Sequence, residues 1–154
     1  MVDVRYLFYL RMYRNTSADA RLFLAAVPDA VTAARIHGLA KTLKRAHRFS
    51  GTLILPERLH VSLFFLAGPP EQSLRVTCKA LADVRAPPIR VSFDRTASFR
   101  GRPGSWPFVL VGGDGVGQLK SFRKGLVAGL AREGLRRLAV ANFEPHVTLR
   151  CAWR

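Results

Sequence analysis

Short apolar runs punctuated by turn formers alternate along this chain with three longer stretches whose apolar residues recur at helical spacing. Residues 4–13 are apolar with interspersed Arg, and Asn15-Thr16-Ser17-Ala18-Asp19 then breaks the run with turn formers. Residues 1–20 are therefore expected to be an N-terminal extension, with a single domain over residues 21–154. That domain opens on Leu22-Phe23-Leu24-Ala25-Ala26-Val27, which reads as a buried strand closed by Pro28-Asp29. Asp29 fits a helix N-cap, and Val31, Ala34, Leu39 and Leu43 continue a helical stripe to about Arg48. Two strands follow, over residues 52–55 and 59–67, separated by Pro56-Glu57-Arg58. A second helix is predicted over residues 71–84, a strand over 89–93, a Gly/Pro/Arg-rich loop over 98–107 and a strand over 107–111. Leu119, Phe122, Leu126 and Leu130 mark a third helix, and a last strand begins near Glu144. Strands interrupted by helices in this rhythm predict an α+β fold with antiparallel sheet.

Composition changes the picture mainly through charge. The 154 residues include 25 Lys plus Arg against 10 Asp plus Glu, a formal charge of +15. Such an excess concentrates polyanions, so RNA, DNA or phosphorylated small molecules are the favoured ligands. Cys78 and Cys151 are the only cysteines and lack the spacing of a disulfide scaffold or zinc site. No apolar run approaches the roughly 20 residues that span a bilayer, and residues 6–10 are too short for a secretory core. The expectation is a cytoplasmic monomer that does not engage membrane. Gly112-Gly113-Asp114-Gly115-Val116-Gly117 has neither the Lys-Ser/Thr ending of a P-loop nor dinucleotide-binding spacing, and reads as a turn.

One element occurs twice. His60-Val61-Ser62 and His146-Val147-Thr148 lie in β-prone surroundings after proline-containing turns, 86 residues apart (146 minus 60). On a strand, residues i and i+2 share a face, so each His is paired with a hydroxyl while the Val serves the other side. A buried, satisfied imidazole explains one such pair readily and two matched pairs poorly. Two histidines are also a ligand short of a zinc site.

These segments, with Arg21-Leu22-Phe23-Leu24-Ala25 and the approach Pro56-Glu57-Arg58-Leu59, resemble the two-histidine phosphoesterase superfamily. The similarity is greatest to its LigT-like RNA 2′,3′-cyclic phosphodiesterases, also called 2′-5′ RNA ligases, and it covers about residues 21–150. It implies a bilobal, pseudo-symmetric fold of two antiparallel sheets facing a central cleft, with helices outside. It also implies metal-independent, cofactor-free hydrolysis of a 2′,3′-cyclic phosphate on RNA or a nucleotide, with ligation as the reverse reaction.

On this reading His60 and His146 are the catalytic acid and base, in an order the sequence leaves open. Ser62 and Thr148 are the phosphate-binding donors. Phe99, Arg100 and Arg102, on the Gly/Pro-rich loop, are candidate substrate contacts, since aromatics stack on unpaired bases. Arg150 is a fourth candidate, but it is expected on the face opposite Thr148, with a bulge needed to turn it inward. His37 and His47 are expected on the surface of the first helix. The competing reading is a non-catalytic RNA- or nucleotide-binding module on the same fold.

Overall fold

The computed structural model describes residues 2–14, 20–66, 70–83, 89–100, 106–134 and 142–151. Along them run β1 (Val2–Arg14), β2 (Ala20–Pro28), α1 (Ala30–His47), β3 (Thr52–Leu53), a single 3-10 turn (Pro56–Arg58) and β4 (Val61–Leu66). After these come α2 (Pro70–Asp83), β5 (Arg90–Phe93), β6 (Arg95–Ser98), β7 (Phe108–Val111), α3 (Val116–Arg132) and β8 (His146–Cys151). The strands form two four-stranded sheets, in the orders β4-β2-β1-β5 and β3-β8-β7-β6, and neighbouring strands are antiparallel throughout. The fold is thus α+β, as the rhythm of the sequence predicts.

Two strands depart from expectation. Residues 2–14, expected to be an extension, form β1, which pairs with β2 from Tyr6↔Pro28 to Arg14↔Ala20 and with β5 from Val2↔Phe93 to Arg5↔Arg90. Tyr6, Phe8, Tyr9 and Val4 favour strand, and residues 15–19 read equally well as the turn of a hairpin. The interspersed arginines hid that reading. β6, the other missed strand, carries Arg95-Thr96-Ala97-Ser98, too polar for the apolar-run criterion, and it pairs with β7 along one edge.

One hydrophobic cluster joins both sheets. Leu24, Val61 and Leu63 from the first sheet share it with Leu110, Val147 and Leu149 from the second, together with Ile36 of α1 and Leu119, Leu126 and Leu130 of α3. Each of the last four is fully buried, and such side chains contribute about 1.5–3 kcal/mol apiece. At the start of α1, Asp29 accepts from the Thr32 backbone N–H at 2.9 Å and from the Thr32 hydroxyl at 2.7 Å, the N-cap the sequence predicts. These bonds hold the Asp29 carboxyl below its ordinary pKa.

The Gly-rich segment is a turn, again as expected. Gly113 has φ +90° and Gly115 has φ +78°, and a Cβ on either would collide with backbone carbonyl oxygens, those of Ser92 and Arg90 respectively. The close approach lets the Ser92 N–H donate to the Asp114 carbonyl at 2.8 Å, locking β5 to the entry of α3. Gly113→Ala is accordingly expected to destabilise the fold by at least about 2 kcal/mol, read as a lowered urea midpoint. Unchanged stability would show that this approach is not required.

Candidate functional site

The chain reaches the first His-x-hydroxyl element through the 3-10 turn, which the Arg58 N–H and Leu59 N–H close on the Leu55 and Pro56 carbonyls at 2.9 and 3.2 Å. Leu59 is buried and anchors the turn, so His60 stands just before β4 rather than within it. From there burial alternates: Val61 and Leu63 are buried, while His60 and Ser62 are half-buried. The second element repeats this. Pro145, Val147 and Leu149 are buried, and His146 and Thr148 are half-buried on β8. Strands β4 and β8 are in contact, so the two elements are brought together.

The match extends to hydrogen bonds. His60 Nδ1 lies 2.7 Å from the carbonyl of Arg58, and His146 Nδ1 lies 2.8 Å from that of Glu144. Each imidazole is thus bonded to the residue two positions before it. A carbonyl only accepts, so Nδ1 carries the proton in both rings and Nε2 is the nitrogen left with a free lone pair when the ring is neutral. Each ring also packs on a phenylalanine. His60 stands 5.1 Å from the Phe23 ring, and His146 meets Phe99 edge-on at 4.8 Å.

The backbone distortion is duplicated as well. Pairing of β2 with β4 shifts between Leu24↔Phe64 and Ala25↔Ser62, leaving Leu63 as an extra residue. Pairing of β7 with β8 shifts between Phe108↔Arg150 and Val109↔Thr148, leaving Leu149 extra. Both bulges fall on the residue after the hydroxyl, and a bulge leaves its extra residue off the ladder. The carbonyl of each extra residue has a donor off the bulged ladder. Arg123 Nε of α3 donates to the Leu63 carbonyl at 2.7 Å, and the Ile54 N–H donates to the Leu149 carbonyl at 2.8 Å.

Arg123 is the residue that sequence reasoning missed. It is buried, and its guanidinium also lies 4.5 Å over the ring of Phe143, which leads into the second element. Burial pushes its pKa below the ordinary value. Three residues earlier on α3, Lys120 Nζ meets the Glu144 carboxylate at 2.8 Å, holding the residue whose carbonyl orients His146. The available signal was a cation within the Leu119-Phe122-Leu126 stripe.

The remaining candidates separate. Phe99 reaches His146, and Arg100 beside it is exposed, while Arg102 lies outside the described residues. Arg150 faces away from Thr148, but for the reverse of the expected reason. In a regular strand these residues, two apart, would share a face. The bulge makes them pair with Phe108 and Val109, consecutive residues of β7 that face opposite sides. Arg150 is thereby carried to Phe49, its guanidinium 5.5 Å from the ring centroid. His37 is a correction: it is half-buried, its Nδ1 2.9 Å from the Ile54 carbonyl, which ties α1 to the segment leading into the first element. His47 is exposed, as expected. Among the described residues, no group of three or more His, Cys, Asp or Glu side chains is placed to hold a metal, and no helix is long and apolar enough to cross a membrane.

Comparison with known proteins agrees with this fold. The family model of the 2′-5′ RNA ligase superfamily matches residues 15–151. An RNA 2′,3′-cyclic phosphodiesterase of Archaeoglobus fulgidus is 28% identical over 129 residues, covering 84% of this chain and 70% of that protein. E. coli LigT without ligand superposes with a TM-score of 0.61 at 17% identity, covering 100% of this chain and 75% of LigT. E. coli LigT complexed with 3′-AMP superposes with a TM-score of 0.56 at 17% identity, over 100% and 74% of the two chains.

Arg123→Met is expected to lower the stability by about 2 kcal/mol, because the Leu63 carbonyl then lies buried without its donor. Equilibrium urea unfolding reads the loss, and an unchanged midpoint would remove Arg123 from the frame of the site.

Proposed function

Because the chain belongs to the 2′-5′ RNA ligase superfamily, we propose that it hydrolyses 2′,3′-cyclic phosphate at the ends of RNA or nucleotides, with His60 and His146 as its acid and base. The observation that carries this reading is the matched pair of imidazoles, each held through Nδ1 by a carbonyl two residues back and each accompanied by a hydroxyl two residues on. A non-catalytic binder needs no such duplicated tautomer control. The Archaeoglobus relative, an RNA 2′,3′-cyclic phosphodiesterase, and the capture of 3′-AMP by LigT support the same substrate class.

In the proposed reaction a water oxygen attacks the cyclic phosphorus while the Nε2 of one imidazole takes the water's proton. The bond between phosphorus and one ribose oxygen breaks, and the second imidazole, protonated beforehand, delivers a proton to that oxygen. Ser62 and Thr148 donate to the non-bridging oxygens, where negative charge gathers in the transition state. Neither step requires a metal. Either histidine fits either role, because the two are held alike. A ribose 5′-hydroxyl in place of water, with the same groups, gives the corresponding ligation.

Hydrolysis of a nucleoside 2′,3′-cyclic phosphate in excess EDTA, with a bell-shaped pH–rate profile, is the expected result. His60→Ala and His146→Ala should each lower kcat by about 10²–10⁴-fold, and Ser62→Ala or Thr148→Ala by about 10²-fold. Full activity in either histidine variant would refute the assignment, and abolition by EDTA would refute metal independence.

A further inference from the structure

Helix α1 ends in a concentration of charge that the paired histidines do not use. Lys41, Lys44, Arg45 and Arg48, together with Phe49 and Leu53, line a cavity of about 390 Å³. None of the residues assigned to the phosphoryl chemistry lines it. The four cations stand at i, i+3, i+4 and i+7, so they form one stripe on the helix, and like charges at this spacing repel one another. The negative end of the helix dipole favours cations in the last turn, which accounts for Lys44 and Arg45. It also favours Arg48 at the C-cap, but it does not account for Lys41, a turn earlier. Lys44 Nζ is bonded to the Gly51 carbonyl at 2.8 Å, and none of the four takes part in a salt bridge among the described residues.

An independent observation lies at the margin of this cavity. Phe49 is flanked by the Phe108 ring at 5.1 Å and by the Arg150 guanidinium at 5.5 Å, and Arg150 Nε is buried without a hydrogen-bond partner. A buried guanidinium nitrogen lacking an acceptor, beside a stripe of mutually repelling cations, is an environment that an anion completes. The cavity is shallow and open, and an aromatic ring lines it beside the cations. That pairing suits a phosphodiester strand whose unpaired base can stack on the ring better than an anionic membrane, which offers no base to stack.

We propose that this cavity is a second RNA-binding site, which grips the phosphodiester backbone upstream of the reactive end. The proposal rests on the reading of the paired histidines as a phosphoesterase site for RNA. Arg150 lies four residues beyond His146 on β8, roughly 13 Å along the strand. The two-residue strand β3 forms the sheet edge between Arg150 and solvent. An RNA whose cyclic phosphate sits between the histidines passes that edge and meets the α1 cations a few nucleotides upstream. The site therefore distinguishes RNA from mononucleotides without touching the chemistry.

The test compares Lys41→Gln/Arg45→Gln/Arg48→Asn with a control of equal charge loss elsewhere, Arg90→Gln/Lys124→Gln/Arg132→Gln, both checked for folding by thermal melts. Binding of a fluorescent single-stranded oligoribonucleotide of about ten nucleotides ending in an ordinary 3′-hydroxyl is followed by anisotropy across a salt series. The α1 variant is expected to bind at least about tenfold more weakly than the control, and its log–log salt slope is expected to be shallower by about 2. Its KM for an oligoribonucleotide 2′,3′-cyclic phosphate should rise, while kcat/KM for a mononucleotide 2′,3′-cyclic phosphate stays unchanged. Equal weakening in both variants would show general charge attraction and overturn the proposal, as would unchanged RNA binding with loss of binding to phosphatidylserine vesicles. If the triple variant fails to fold, Lys41→Gln and Arg45→Gln singly are read against Lys124→Gln by the same criteria. The anisotropy measurement involves no turnover, so absence of hydrolysis by the unaltered protein would refute the phosphoesterase reading and leave this measurement intact.

Discussion

Two carbonyls stranded by bulges, and the donors that reach them, set the geometry on which the rest of the structure depends. The bulge at Leu63 takes its carbonyl off the ladder between β2 and β4, and a buried carbonyl without a donor would cost about 1–3 kcal/mol. Arg123 removes that penalty at the expense of burying a guanidinium, which is itself costly. The arrangement is favourable because the same guanidinium covers the Phe143 ring and so joins the first sheet to the segment entering the second. The bulge at Leu149 is completed by the Ile54 N–H, whose own carbonyl engages His37 of α1. Each His-x-hydroxyl element is thus held by a group off the bulged ladder, a helix side chain in one case and the residue that follows β3 in the other.

These ties matter because half-buried polar side chains on apolar strands would otherwise be poorly determined in orientation. His60 and His146 each meet a backbone carbonyl through Nδ1 and a phenylalanine ring besides. That leaves little rotational freedom to lose when a substrate arrives, which is the structural form of preorganisation. The nearby ion pair of Lys120 with Glu144 is exposed and of small energetic value by itself. Its position, on the residue that orients His146, gives it more importance for geometry than for stability.

The elements to which the chemistry is assigned were legible in the sequence because they obey a local rule. Alternation set His60 with Ser62 and His146 with Thr148, and the recurrence of the pair separated it from chance. The α1 cap at Asp29 and the Gly113 turn were legible for the same reason, each being the work of a few adjacent residues. What escaped was non-local. Arg123 looks like an ordinary surface cation until α3 is placed against β4, and His37 looks exposed until the Ile54 carbonyl is seen beside it. The bulges were hidden too, because nothing in Ser62-Leu63-Phe64 or Thr148-Leu149-Arg150 announces an unpaired residue. Arg150 shows the consequence, since only the bulge decides which face its side chain occupies.

The near-identity of the two half-sites raises a question that their symmetry cannot answer. Two imidazoles with the same tautomer, the same carbonyl tether and an aromatic neighbour have no intrinsic reason to divide into acid and base. The differences lie farther out. Phe23 belongs to β2, the neighbour of β4 inside a sheet, and is itself packed on the exposed Phe65 at 5.7 Å. Phe99 instead follows the edge strand β6, its N–H bonded to the Pro107 carbonyl at 3.1 Å. One half-site is therefore framed by a sheet interior and an aromatic ledge, the other by a loop beside the exposed Arg100. A substrate with a base at one end and a charged strand at the other meets unlike walls, and binds in one orientation more favourably than in the reverse. In the proposed reaction, the substrate's orientation, rather than any difference between the histidines, then decides which one takes the proton and which one gives it.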